Sequence, residues 1–229
     1  MTRTLTIAFL AVLLVAALGA IWYSLGMPGV GPKPPETSLY KNTRFDYQFT
    51  YPRTYTLEEY TNRYVTLGND SSKGRTEMVS SSVLQSEEGQ FYPTFGAFLT
   101  NRLSLLCAAD SPDKTYECAT VAERTPMRNG TGTFVTEYYL NLVVHTTATG
   151  ATETKRYGPL YVFDISKDNL DSTYSALIVY PPVASFDANK IDEGIVKKVA
   201  DRISFTGQTQ PAAPADFPKP ASTGAKVSP

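Results

Sequence analysis

Apolar side chains follow three rhythms along this chain. From Leu5 to Leu25 they dominate the run LTIAFLAVLLVAALGAIWYSL, 21 residues inside a stretch with no charge between Arg3 and Lys33. At about 1.5 Å rise per residue, a helix of that length spans a hydrocarbon core of roughly 30 Å. A helix in a soluble core would show polar residues at helical spacing, and this run shows none. Trp22 and Tyr23 fall at its end, where amphipathic rings favour the headgroup level. Arg3 and the N-terminus give the positive flank that stays inside. The segment reads as a signal anchor that partners the lipid bilayer through residues 5–25. It places the N-terminus in the cytoplasm and the rest outside the cytoplasmic (inner) membrane. The rival is a cleaved signal peptide with its apolar core at Leu5–Ala16 and Ala17-Leu18-Gly19 as a small-x-small site, which would release a secreted soluble binding domain.

The second rhythm has period two and predicts strands. Tyr47–Tyr51 and Tyr55–Leu57 are short strands broken by Pro52-Arg53. Tyr64–Leu67 ends at the turn cluster Gly68-Asn69-Asp70-Ser71-Ser72, and Glu77–Leu84 is β-rich. Asn129-Gly130 is a tight-turn signal joining Val121–Arg128 to Thr133–Val144. In the latter, Phe134, Tyr138, Leu140, Leu142 and Val144 share one face, while Val135, Tyr139 and Val143 share the other. Arg156–Ile165 alternates in the same way. Strands apolar on both faces are central ones with cover above and below. Tyr174–Tyr180 is the last strand, stopped by Pro181-Pro182.

The third rhythm is helical. Phe95, Phe98, Leu99, Leu103 and Leu106 recur at helical spacing after the turn and N-cap candidate Pro93-Thr94. Asp187–Ile203 carries a stripe of Ile191, Ile195, Val199 and Ile203. The fold class is therefore α+β, an antiparallel sheet covered by helices, preceded by one transmembrane helix.

Composition sets the boundaries. Residues 26–35 read GMPGVGPKPP, seven of ten Gly or Pro, which cannot hold a helix and so form a linker. Residues 207–229 hold five Pro and five Ala, and read as a disordered tail. Between them, 36–206 is one domain, long enough to bury its own core. It carries 17 Lys plus Arg and 21 Asp plus Glu, 17 − 21 = −4. That balance argues against a nucleic-acid partner. One His and two Cys leave almost nothing for a zinc site, and neither a phosphate-binding Gly loop nor a Gly-x-Ser-x-Gly elbow appears. No metal or cofactor is expected.

The strand Phe45-Asp46-Tyr47-Gln48-Phe49-Thr50-Tyr51-Pro52 resembles the opening of PsbP-like domains, which often run Gly-Phe-x-Phe-x-Tyr-Pro; Asp46 stands where that motif prefers Gly. The close, Leu177-Ile178-Val179-Tyr180-Pro181-Pro182 through Ile203-Ser204-Phe205, is similar to that family's strand, amphipathic helix and Ser-Phe-like ending. The family is named for an extrinsic photosystem II subunit. The resemblance implies α–β–α layers and mostly non-enzymatic binding or assembly roles, and it gives no catalytic residue.

Few residues stand out as sites. Cys107 and Cys118 are an even pair in a domain read as exported, and they invite a disulfide. Asp164 lies inside an apolar strand, where a charge needs a partner or marks a pocket. Tyr161 and Tyr139 offer amphipathic contact surface beside it in the pattern, against the alternative of core packing. His145, the only histidine, enters a turn and reads as an exposed hairpin residue. Asp164, Tyr161, Tyr139 and His145 are thus the candidates for a pocket or ligand contact, with no catalytic residue assigned. The function read from the sequence is a membrane-anchored, extracytoplasmic, non-catalytic binding or assembly module with a protein partner in the cell envelope. The alternative is a cell-envelope hydrolase, which would need Asp164 or His145 in a deep pocket with a second polar group.

Overall fold

A computed structural model describes residues 36–72, 74–87, 89–106, 113–166, 174–183, 192–207 and 211–213. The chain divides into two compact units, Met1–Glu36 and Thr37–Pro229. The apolar segment 5–25 and the 26–35 linker lie outside the described residues. No described helix is long and apolar enough to cross a membrane.

The second unit runs β1 (Thr37–Asn42), β2 (Tyr47–Pro52), β3 (Thr56–Thr61), β4 (Tyr64–Ser71), β5 (Gly74–Gln85), α1 (Phe95–Leu106), β6 (Lys114–Arg128), β7 (Phe134–Thr146), β8 (Thr152–Asp164), β9 (Ser175–Tyr180), α2 (Glu193–Ala200) and β10 (Ser204–Phe205). Seven strands form one sheet in the order β3-β4-β5-β9-β8-β7-β6, and β1-β2-β10 form a small second sheet. Every pairing is antiparallel.

The expected two-sided strands are central as their pattern demands. On β8 and β9, Tyr161, Phe163, Leu177 and Val179 enter one core with α2 residues Ile195, Val196 and Val199 and with Tyr47 and Phe49 of the small sheet. Leu160, Val162, Ala176 and Ile178 enter a second core, on the opposite face, with Phe98, Leu99 and Leu103 of α1. The result is helix, sheet, helix in layers. Next to the edge, β7 is less symmetric. Tyr138, Leu140, Leu142 and Val144 are buried against α1, but on its other face only Val135 is buried, and Tyr139 and Val143 are half-exposed.

Several boundaries shift for physical reasons. Strand β4 does not stop at Gly68. It takes up a register shift between Leu67 and Gly68 and continues paired to Ser71, so the turn-rich residues Asn69-Asp70-Ser71 are strand. Pairing to β5 overrides their local preference. Strand β6 begins at Lys114, well before Val121, because β7 is long enough to pair with it down to Thr146. Thr94 caps α1 as expected, its hydroxyl accepting from the Ala97 N–H at 3.1 Å. Helix α2 is shorter than the Asp187–Ile203 stripe suggested. Asp192 is its N-cap, accepting from the Ile195 N–H, and the helix ends at Ala200. Ile203 is fully buried beyond that end, and Ile191 lies outside the described residues.

Two turns show why particular residues stand where they do. Asp46 sits at φ 54°, the left-handed region that Gly enters without penalty and Asp tolerates better than most. Its carbonyl accepts from Thr206 N–H at 2.8 Å, tying the first hairpin to the end of the domain. The Asn129 turn is more than a hairpin signal. Its side-chain amide is buried and donates to the carbonyls of Ala200 and Ile203, 2.9 Å each, at the exit of α2. Its Oδ1 accepts from Thr131 N, Thr131 Oγ1 and Thr133 N. Gly130 passes so close to the helix end that a Cβ there would lie 2.8 Å from the Asp201 carbonyl oxygen.

Candidate functional site

Asp164 is the last residue of β8, and it does border a pocket. The pocket holds about 380 Å³ and is lined by Thr94, Phe95 and Gly96 from the start of α1, by Arg124 of β6, by Phe134–Thr136 and Tyr138 of β7, by Val162 and Asp164 of β8, and by Ala212 and Ala213. Register explains the convergence. Thr136 faces Val162, and Arg124 faces Tyr138, so side chains distant in sequence share one end of the sheet. The Arg124 guanidinium lies 5.8 Å from the centre of the Tyr138 ring.

Asp164 is held locally. Its Oδ1 accepts from Ser166 N at 3.0 Å and Ser166 Oγ at 2.6 Å. Burial raises its pKa above the ordinary carboxylate value, opposed by those two hydrogen bonds. The folded state then holds a proton at pH values where the unfolded chain has lost it. Stability from this group is therefore present at low pH and declines as pH rises from the ordinary carboxylate range through the raised value. Asp164→Asn keeps an oxygen to accept from Ser166 and cannot ionise. Urea titrations from acid to neutral pH are expected to show that part of the pH slope flattened in the variant; an unchanged slope would mean that the carboxylate is not desolvated.

The part of the tail expected to be disordered is not all loose. Pro211 is buried, and Ala212 N–H donates to the Asp164 carbonyl at 2.9 Å, so Pro211–Ala213 lies along the rim of this pocket.

The other candidates sit elsewhere. Tyr161 is buried on the opposite face of β8, in the α2 core, with the Lys197 ammonium 5.9 Å from its ring centre; burial pushes its phenol pKa up. Tyr139 is on that same side of the sheet. Arg156 lies 3.3 Å over its ring and reaches Glu123 at 2.6 Å. These two tyrosines stand near each other and away from Asp164. His145 is exposed at the far end of β7, its Nδ1 3.1 Å from Thr152 Oγ1 and its Nε2 4.0 Å from Glu117. The four candidates therefore do not form one site. Asp164 alone marks the pocket, and the residues that complete it carried no sequence signal, because only strand register gathers them.

Cys118 is buried in the core under α1 with Leu103, and Leu106 packs against the same cluster. Cys107 lies outside the described residues. Among the described residues, no group of three or more His, Cys, Asp or Glu is placed to hold a metal. The described lining of the Asp164 pocket contains no histidine, no cysteine and no second carboxylate. Its chemistry is that of an apolar, aromatic groove with one acidic and one basic group at the rim.

The fold is similar to the solution structure of cyanobacterial PsbP (CyanoP) from Synechocystis sp. PCC 6803, with a TM-score of 0.40 and 14% identity over 76% of this chain and 95% of that one. At that identity the likeness concerns the fold alone and says nothing of function. No family model and no curated protein matches the sequence.

Proposed function

We propose that this chain is a non-catalytic binding or assembly module, anchored in the cytoplasmic membrane by residues 5–25 with its 36–206 domain outside. The Asp164 groove is its contact surface for a protein of the cell envelope. The observation that carries this reading is the groove itself. It is apolar and aromatic, with a few fixed polar groups, which is the make-up of a recognition site. The hydrolase reading needs a second catalytic group beside Asp164; the described lining offers Arg124, Tyr138 and two threonines but no histidine, cysteine or second carboxylate, so it has less support. Arg124 is exposed at the groove. A photo-crosslinking residue placed there in intact cells is expected to give a discrete protein adduct that disappears when Gly96→Leu fills the groove. The absence of any groove-dependent adduct would defeat the proposal.

The address has its own support in the charge-free apolar run flanked by Arg3 and the Trp22-Tyr23 pair. Full-length protein is expected to remain in membranes after alkaline carbonate washing and to lose its domain to protease added outside. A soluble form beginning near Ala20 would instead establish signal cleavage. A Cys107–Cys118 bridge belongs to the same proposal. Helix α1 ends at Leu106, and Leu106 packs on the cluster that holds Cys118, so the chain leaves the helix beside its partner strand. Closing so short a loop contributes about 3 kcal/mol on the chain-entropy estimate. Unreduced, alkylated protein should yield one linked peptide pair on mass spectrometry, whereas two alkylated thiols would remove the bridge.

A further inference from the structure

We infer that the Asp164 groove recognises an extended Pro/Ala-rich peptide segment, and that the chain's own Pro211–Ala213 is the intramolecular occupant of its rim. This rests on the binding-module reading above and names the chemistry of what the groove takes.

The observation is the tail itself. Pro211 is buried although it belongs to a segment of low apolar content, and Ala212 donates its backbone N–H to the carbonyl of Asp164. That is a single main-chain hydrogen bond at the end of β8, of the kind that strand addition uses, and it is open to any extended peptide. Side-chain chemistry supplies selection. Phe95, Phe134 and Tyr138 line the groove, and aromatic walls are the surfaces on which proline rings pack in polyproline recognition. Small residues at Ala212 and Ala213 let the backbone come close enough to pair. Pro and Ala recur further along the sequence, as Pro214-Ala215 and Pro220-Ala221, so the tail carries more than one segment of this type.

The arrangement implies competition. A tethered tail occupies the rim at high effective concentration, and a Pro/Ala segment from outside must displace it. Groove and tail together then form a threshold: only a partner present in excess, or one with added contacts, opens the site.

The test uses the full-length chain in detergent and a labelled synthetic peptide with the sequence of residues 207–221. Ala212→Pro removes the N–H that reaches the Asp164 carbonyl, and should free the rim without touching the domain core. Fluorescence anisotropy should show the peptide binding to this variant at least tenfold more tightly than to the unsubstituted chain. A peptide with its prolines replaced by glycine should bind weakly. Gly96→Leu places a side chain at the groove, where its Cβ has room, meeting only Thr94 Oγ1 at 3.8 Å. Combined with Ala212→Pro, it should abolish peptide binding while the thermal melt holds. In the unsubstituted chain, the Ala212 amide should exchange slowly with deuterium and lose that protection when the peptide is added in excess. Equal binding by both chains, binding indifferent to Gly96→Leu, or an Ala212 amide that exchanges freely throughout would each overturn the inference. A groove-dependent adduct in cells together with failure of the peptide to bind would sink the Pro/Ala chemistry and leave the module reading standing. Peptide binding without any adduct would do the reverse.

Discussion

Ile195→Ala is expected to cost about 2–5 kcal/mol of stability in denaturant titration. Ile195 lies in the first turn of α2, only 3% exposed, in the core that joins the helix to Tyr161, Phe163, Leu177 and Val179 of the sheet and to Tyr47 and Phe49 of the small sheet. Helix α2 is eight residues long and has little stability of its own, so it depends on this face. Truncation opens a cavity between three layers, none of which can collapse without moving the others. Lys197→Ala two positions on is the control. Its side chain is half-exposed, in an i,i+4 pair with Asp201 at 3.5 Å, and its loss should change stability by less than about 0.5 kcal/mol. Equal effects of the two substitutions would mean that α2 does not seal the sheet.

Asn129 is the second position with a large expected effect. Its amide spans the β6–β7 turn and the exit of α2, with two donated and three accepted hydrogen bonds. Asn129→Ala deletes all five, and is expected to cost about 3 kcal/mol at a net contribution of roughly 0.5–1.5 kcal/mol per bond. Asn129→Asp is nearly isosteric and sharper as a test. It keeps the accepting oxygen but turns an anion toward the carbonyls of Ala200 and Ile203. The aspartate variant should therefore be less stable than the alanine variant at neutral pH and should recover on acidification, as the carboxyl takes a proton and becomes a donor. An aspartate variant as stable as the parent at neutral pH would show that the turn does not grip the helix.

Asn129 also shows where the sequence stops being legible. Asn-Gly between two apolar runs announces a hairpin, and a hairpin is there. That the Asn side chain caps a helix more than 70 residues later follows from tertiary docking, which no local pattern encodes. The helical stripe from Phe95 to Leu106 and the alternating runs of β8 and β9 were readable because burial on a helix or sheet face imposes a fixed period. Strands β1 and β10 were not, because TSLYKN has only one side that matters and two residues cannot carry a period. The strand expected from Val121 begins at Lys114 instead, since the mixed polar character of its first half suits an edge and hides the period. At the site, Asp164 was found as a charge out of place in an apolar strand. Thr136, Arg124 and Gly96 were not, because each is unexceptional in its own segment. Pro211–Ala213 departed from the expectation for the tail, as composition can show that a segment has little to bury but not where the fold offers it a seat.

Among the described residues, the strand order of the large sheet leaves two borders without a further strand, β3 and β6. An unpaired border is a template on which another chain can add strands. Both borders are blunted. Strand β3 is six residues long and displays Glu58 and Glu59, and it is kinked where the register slips before Thr61. Strand β6 is fifteen residues long, but two bulges interrupt it, Glu117 and Glu123 project into water, and Pro126 removes one of its outward donors. Like charges and broken ladders at both rims work against edge-to-edge pairing of two copies into one continuous sheet.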